Sequence, residues 1–181
     1  GYIPAVMLIK GNVSDKLDKE CYGISTTSFD NMKSFFADSY ELILEMMDIA
    51  VGLNNMAVRG TYGKFNDTTK IDNWASYQAK TKASKIIGLV DGEPFSRSIP
   101  LKRHVRNAIA HYNYEFDASS QKISFSDRFK GTENLEKLYL IDLAQLCYEN
   151  VSILLYFNEL MYSLRKRNYM REGLSPNIWR K

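Results

Sequence analysis

Apolar residues recur at intervals of three and four along most of this 181-residue chain, and this periodicity constrains its fold most strongly. Such spacing places the apolar side chains on one face of an α-helix. The periodicity predicts one helix from about residue 30 to Arg59, a second over 71–89 and a third over 100–112.

Residues with capping chemistry stand at the expected start of each helix. Thr27 with Asp30, and Thr69 with Asp72, have the spacing of a capping box. In that motif a hydroxyl accepts a hydrogen bond from a free backbone amide and the carboxylate reaches back. Pro100 suits the first position of the third helix, where its missing N–H is not needed.

The longest helix is predicted over 132–166, with apolar side chains on most of its circumference. Such a helix is buried on several sides or lies at an oligomer interface. Residues 113–117 and 122–126 instead alternate between apolar and polar, which predicts a short β-hairpin. The sequence thus predicts an all-α fold, an up-down four-helix bundle with a long C-terminal helix and a short β-hairpin insertion after the third helix.

We expect three segments along the chain. Residues 1–28 form an N-terminal arm or the remnant of a preceding segment, 29–167 form the bundle, and 168–181 form a basic C-terminal tail. No apolar run approaches the roughly 20 residues of a membrane-spanning helix, and no signal peptide is recognisable. Cys21 and Cys147 form no disulfide framework, which favours a reducing compartment. We therefore expect a cytoplasmic protein with no membrane partner.

Composition and motifs exclude several classes of function. The net charge of +3 permits a nucleic-acid partner without requiring one. The fingerprints of zinc proteases, serine hydrolases, P-loop proteins and dinucleotide-binding folds are absent from the sequence. His104 and His111 would lie about 10 Å apart along a helix, so one metal ion could not bridge them. We expect no metal site and no cofactor.

The segment 101–112 carries the candidate chemistry. Its predicted core face consists of Leu101, Val105, Ala108, Ile109 and Tyr112. On the opposite face Asn107 and His111 lie one turn apart, and Arg106 borders them. Arginine binds phosphate bidentately, and histidine exchanges protons near neutral pH. Arg106, Asn107 and His111 are therefore candidate catalytic residues for phosphate chemistry, although the same pattern is typical of an ordinary solvent-exposed helix face.

The motif Arg106-Asn107-Ala108-Ile109-Ala110-His111 resembles the Arg-x4-His signature of the HEPN superfamily, in which Asn commonly follows the Arg. The resemblance covers about residues 30–166 and is specific over 105–117. It implies an all-α bundle that usually dimerises, so that the two motifs meet in a cleft between protomers. Many members of this superfamily are metal-independent endoribonucleases.

Carried over to this chain, the resemblance gives each motif residue a role. His111 would act as general base or acid, and His111 of a second copy would take the other role. Arg106 would hold the scissile phosphate and stabilise the charge of the transition state. Asn107 would orient His111 or bind a phosphate oxygen. The nucleophile would be the 2′-hydroxyl of the RNA, which would leave a 2′,3′-cyclic phosphate, and DNA would not be cut.

Four further residues are candidate RNA contacts, namely Lys102, Arg103, His104 and Tyr114. The basic side chains would contact phosphates, and Tyr114 could stack on a base. His104 could line the same cleft or be a surface histidine.

The resemblance also implies partners: RNA, a second copy of the chain, and an antitoxin or an additional domain of a defence or toxin–antitoxin system. HEPN toxins paired with a nucleotidyltransferase antitoxin carry a Tyr two residues after the His, where this chain has Asn113. Regulation by that type of antitoxin is therefore doubtful. The alternative function is a non-catalytic HEPN module that binds RNA or nucleotides or dimerises. An unrelated helical interaction domain would leave the motif as a solvent face.

Overall fold

The computed structural model describes residues 2–3, 19, 23–90, 92–96, 102–129 and 132–174. Its α-helices are α1 (Phe29–Glu45), α2 (Met47–Arg59), α3 (Trp74–Gln78), α4 (Arg103–Ala110) and α5 (Leu140–Arg171). Its strands are β1 (Tyr2–Ile3), β2 (Gly23–Ile24), β3 (Tyr114–Asp117), β4 (Lys122–Phe129) and β5 (Thr132–Tyr139). The all-α prediction of a four-helix bundle is therefore wrong, because an antiparallel sheet of β3, β4 and β5 forms part of the fold.

The first predicted helix is two helices. The cap of α1 is Ser28, whose hydroxyl accepts a hydrogen bond from the Asn31 amide at 3.2 Å, so the capping box predicted at Thr27 is not the start. The helix is interrupted at Met46, and α2 then runs to a left-handed cap at Gly60. Because only one residue interrupts the helices, the apolar periodicity continues across the break and does not reveal it.

The second predicted helix, over 71–89, is wrong. Only the five residues of α3 are α-helical there, capped reciprocally by Asn73 and Ser76. Single-turn 3₁₀ geometry covers Asp67–Thr69, and a longer 3₁₀ segment covers Lys82–Gly88. A Cβ on Gly88 would lie 2.8 Å from the Val51 Cγ1 atom. The 3₁₀ segment therefore packs closely against α2 at this point. The rings of Phe65, Trp74 and Tyr77 form a small aromatic cluster beside it.

Helix α4 ends in a left-handed turn. Tyr112 has a φ of +56°, and the amides of Tyr112 and Asn113 donate to the carbonyls of Ile109 and Ala108. This pair of hydrogen bonds is the Schellman motif, which satisfies carbonyls left free at a helix end. The turn directs Tyr112 outward, so that it is 82% exposed. The prediction that Tyr112 belongs to the core is wrong.

The sheet is antiparallel, with β4 in the middle. The hairpin predicted over 113–117 and 122–126 is present as β3 and β4, but it belongs to this larger sheet. Strand β5 differs from the sequence prediction, which places the start of the longest helix at residue 132. Leu135 and Leu138 are three apart, as on a helix, yet the segment pairs with β4 over its whole length. The long helix consequently starts at Leu140.

Helices α1 and α5 enclose the main core together with α4 and the inner face of β4. Its largest fully buried members include Phe36, Ile43, Met47, Ile123, Phe125, Leu140, Ile141 and Leu143. Cys147 is also buried and donates to the Met32 carbonyl at 3.5 Å. Burial raises the pKa of its thiol to about 12, as expected of a small apolar residue rather than a reactive one.

The N-terminal and C-terminal predictions lie largely outside the described residues. Of the predicted arm, β1 pairs in parallel with β2, and Gln121 exchanges two side-chain hydrogen bonds with the backbone of Ile24. Helix α5 extends to Arg171, beyond the predicted end at residue 166, and 175–181 are not described.

Helix α5 is long and apolar enough, by length and composition alone, to cross a membrane, contrary to the sequence expectation. Half of its most apolar window is buried inside the fold. Core helices of soluble proteins have the same properties, so this finding is weak support for a membrane span.

Two neighbouring phenylalanines of α1 provide a matched test of the core. Phe36 is 1% exposed and Phe35 is 46% exposed. Phe36→Ala should lower the free energy of unfolding by roughly 3–5 kcal/mol, because it leaves a cavity. Phe35→Ala should cost well under half of that value. Urea denaturation measures both, and equal losses would contradict the arrangement of α1.

Candidate functional site

Helix α4 has a buried face and a polar face, as its sequence predicts. Val105, Ala108 and Ile109 are buried in the main core. The other face carries Arg103, His104, Arg106, Asn107, Ala110 and, at the cap, His111. The candidate catalytic residues therefore lie along one accessible face at the surface of the protein.

Arg106 is held in place by α1. Its Nε donates to the Glu41 Oε1 atom at 2.8 Å, and its Nη2 donates to the same oxygen. Its Nη1 donates to the Asn107 Oδ1 atom at 3.2 Å. The Arg106 side chain is 30% exposed, so the guanidinium is both oriented and accessible. This contact joins the first two residues of the motif.

Asp127 of β4 holds two other residues of α4. Its Oδ2 atom lies 3.0 Å from the His104 Nδ1 atom and accepts from the Asn107 Nδ2 atom at 3.3 Å. The Asp127 side chain is only 9% exposed, whereas the His104 side chain is 49% exposed. A nearly buried carboxylate thus fixes one edge of an accessible imidazole. The contact requires the proton on Nδ1, which leaves Nε2 facing away from Asp127.

The site keeps Asp127 ionised. Burial alone disfavours the carboxylate, but the hydrogen bonds from His104 and Asn107 outweigh it and lower the pKa of Asp127. The positive charge of Arg103 acts in the same direction. At Tyr40 the balance is the reverse. Burial raises the pKa of its phenol, and the nearby positive charges of Arg106 and Arg103 do not outweigh the effect of burial.

His111 occupies the cap of α4 and is exposed. Its amide donates to the Asn107 carbonyl at 3.0 Å, and within the described part of the chain its imidazole makes no hydrogen bond or ion pair. The structure therefore links Arg106 to Asn107 directly, and Asn107 to His104 through Asp127. Among the described residues it leaves the His111 ring without a side-chain link.

The remaining predicted RNA contacts are partly occupied. Lys102 forms an exposed ion pair with Glu136 at 2.8 Å. The Tyr114 hydroxyl accepts from the Lys33 Nζ atom at 2.7 Å, and its ring packs edge-on against Phe29. Tyr114 is therefore built into the junction of α1 and the sheet, and its ring is not a free stacking surface.

Two residues of the site had not been predicted from the sequence. Glu41 lies 65 positions before Arg106, and nothing local marks it. Asp127 does carry a signal, because Ile123, Phe125 and Asp127 alternate along β4 and all face inward. A carboxylate at an inward strand position needs a polar partner, which α4 supplies.

Metal-ligand clusters are absent from the residues that the structure describes, since no three His, Cys, Asp or Glu side chains converge there. A groove of about 650 Å³ lies elsewhere, between Leu42 of α1 and the stretch from Leu154 to Lys166 of α5. It is larger than the depression of about 590 Å³ beside Tyr112, but it contains no residue of the motif.

Comparison with known proteins identifies no relative. No protein-family model matches the chain, and no curated protein or solved structure is significantly similar to it. The function must therefore be inferred from the side chains of α4 and their partners.

The ionised state of Asp127 makes a pH-dependent contribution to stability. Its pKa is lowered in the folded state, so the contribution is present above the ordinary carboxyl value near ~4 and is lost as the pH falls through the folded-state pKa. Asp127→Asn should therefore lower the free energy of unfolding by roughly 1–2 kcal/mol at pH 5. The difference from wild type should shrink towards pH 2 in urea titrations. A difference that stays constant or grows would contradict the charge of Asp127.

Proposed function

We propose that this protein is an endoribonuclease that cuts RNA through attack of the substrate's own 2′-hydroxyl, without a metal ion. The reaction would take place on the face of α4 that carries Arg106, Asn107 and His111. The observation that carries the proposal is the anchored, accessible guanidinium of Arg106 on the same face as an exposed histidine.

Arg106 is suited to bind the scissile phosphate. Glu41 and Asn107 occupy part of its donor set, but a guanidinium has more N–H groups than these contacts use. The free donors can bind a phosphate oxygen and stabilise the charge that grows on it in the transition state. Glu41 holds the fork in one orientation, so little rotamer entropy is lost when the phosphate binds.

His111 is suited to remove the proton of the 2′-hydroxyl. Its ring is accessible, and an imidazole exchanges protons near neutral pH. The new bond joins O2′ to phosphorus, and the bond from phosphorus to O5′ breaks. The products are a 2′,3′-cyclic phosphate and a 5′-hydroxyl. The leaving O5′ needs a proton from a second group, which the family resemblance would supply as His111 of a second copy.

An exposed aromatic ring beside His111 supports a nucleic-acid substrate. Tyr112 follows His111 directly and lines a shallow depression together with Asn113 and Leu135. Exposed aromatic rings stack on bases at about 1–3 kcal/mol per base without strict preference for sequence. Of the two tyrosines that flank Asn113, Tyr112 and not Tyr114 is therefore the proposed stacking residue.

Exposed apolar side chains support the assembly of two copies. They lie on α1 and α5 and comprise Phe35, Leu42, Leu155, Tyr156, Tyr162 and Leu164. Helices α1 and α5 pack against each other, and exposed apolar patches commonly mark protein interfaces. Glu41, which anchors Arg106, precedes Leu42 on α1, so a second copy docked there would border the candidate site.

Cleavage of a mixed RNA set in EDTA tests the proposal. Wild type should cut RNA and leave 2′,3′-cyclic phosphate ends, whereas DNA of the same sequence should stay intact. Arg106→Ala and His111→Ala should each lower the rate roughly 10²- to 10⁴-fold, the usual size of such contributions. Gel analysis of end-labelled fragments measures the rates and the ends.

Arg171→Ala is the matched control, because it removes an exposed arginine at the far end of α5. It should cut as fast as wild type. Equal cleavage by all variants would indicate a contaminant and contradict the proposal. RNA binding without cleavage, lost in Arg106→Ala, would indicate the non-catalytic binding module instead.

A further inference from the structure

The polar face of α4 contains a second histidine with a built environment. His104 and His111 are the two histidines of the chain, and they differ sharply in their surroundings. The Nδ1 edge of His104 lies 3.0 Å from the nearly buried carboxylate of Asp127, while its side chain is 49% exposed. His111 has no carboxylate among its described contacts.

We propose that His104, positioned by Asp127, donates the proton to the leaving 5′-oxygen, so that one chain holds both proton-transfer groups of the reaction. This inference rests on the proposed ribonuclease function, and it replaces His111 of a second copy in the acid role. Asp127 is a positioning residue in this scheme, because it contacts His104 and not the RNA.

The position of His104 on the helix fits this role. Asn107 lies three residues after His104 and four residues before His111, on the same face of α4. Attack and departure occur on opposite sides of the phosphorus, so the base and the acid must flank the phosphate. The two histidines are about 10 Å apart along the helix. This backbone rise is of the same order as two hydrogen bonds of roughly 3 Å each plus the width of a phosphate, so side chains at the two positions can flank one phosphate.

The charges around the His104 and His111 rings indicate which histidine is the acid and which is the base. When His104 is protonated, its contact with Asp127 is an ion pair, and its Nε2–H remains free to give a proton. His104 and the Asn107 amide both contact the Oδ2 atom of Asp127, which keeps the His104 ring on the face of the motif. In the reaction His111 takes the proton of the 2′-hydroxyl, and His104 gives its proton to O5′ as the phosphorus–O5′ bond breaks.

A substrate with a better leaving group distinguishes a general acid from a general base or a binding residue, because only the loss of the general acid is then compensated. The probe is a short RNA in which sulfur replaces the 5′-oxygen at the mapped cleavage site. A thiolate leaves without a proton, so the general acid is not needed. His104→Gln keeps a donor for Asp127 but transfers no proton. It should cut normal RNA roughly 10²-fold or more slowly than wild type and should cut the sulfur probe at nearly the wild-type rate.

His111→Gln is the matched variant, and it should be slow on both substrates. If His104→Gln is equally slow on both, His104 only binds RNA and the inference fails. If it cuts normal RNA like wild type, the inference fails while the proposed function stands. If wild type cuts neither substrate, the proposed function fails, and this inference fails with it.

A spectroscopic measurement tests the positioning by Asp127 without any activity. The nitrogen NMR spectrum of the folded protein should show the neutral His104 ring with its proton on Nδ1, whereas free imidazoles in peptides favour Nε2. Asp127→Asn should weaken this preference and slow normal RNA cleavage more than cleavage of the sulfur probe. A neutral His104 with its proton on Nε2 in the wild type would overturn the role of Asp127.

Discussion

The contact between Asp127 and α4 ties the candidate site to the rest of the fold. Asp127 stands at an inward position of the central strand, in the row that also buries Ile123 and Phe125. It is therefore fixed by the register of β4 against both neighbouring strands. A nearly buried carboxylate needs partners, and α4 provides His104 and Asn107. The sheet thus sets the orientation of the helix that carries the motif.

The end of α4 is also fixed by the sheet. The left-handed turn at Tyr112 closes the helix and leads directly into β3, and the Asn113 carbonyl accepts from the Ser126 amide at 2.9 Å. A left-handed conformation costs roughly 1–2 kcal/mol for a residue with a side chain. Tyr112 adopts this conformation, and the turn exposes its ring next to His111.

Local patterns predicted those parts of the structure that local interactions determine. The apolar spacing identified the helical stretch that contains α1 and α2, though not the break at Met46, and the buried residues Val105, Ala108 and Ile109 of α4. The alternation identified the hairpin of β3 and β4. The errors have non-local causes. Strand β5 has helix-like leucine spacing and is fixed by pairing with β4, and the segment after Gly60 is shaped by the contact of Gly88 with Val51. The same holds for the candidate site. The motif on α4 is visible in the local sequence, but the contact between Glu41 and Arg106 forms only when α1 and α4 pack together.

The account depends most on the claim that the RNA supplies its own nucleophile to the face of α4. The direct measurement is cleavage of an RNA that carries a single 2′-deoxynucleotide on the 5′ side of the mapped scissile bond. The account predicts that cleavage at this bond is abolished, while the protein still cuts other sites in the same molecule. Cleavage at the deoxy position at the normal rate would contradict the account, since water or a protein side chain would then be the nucleophile.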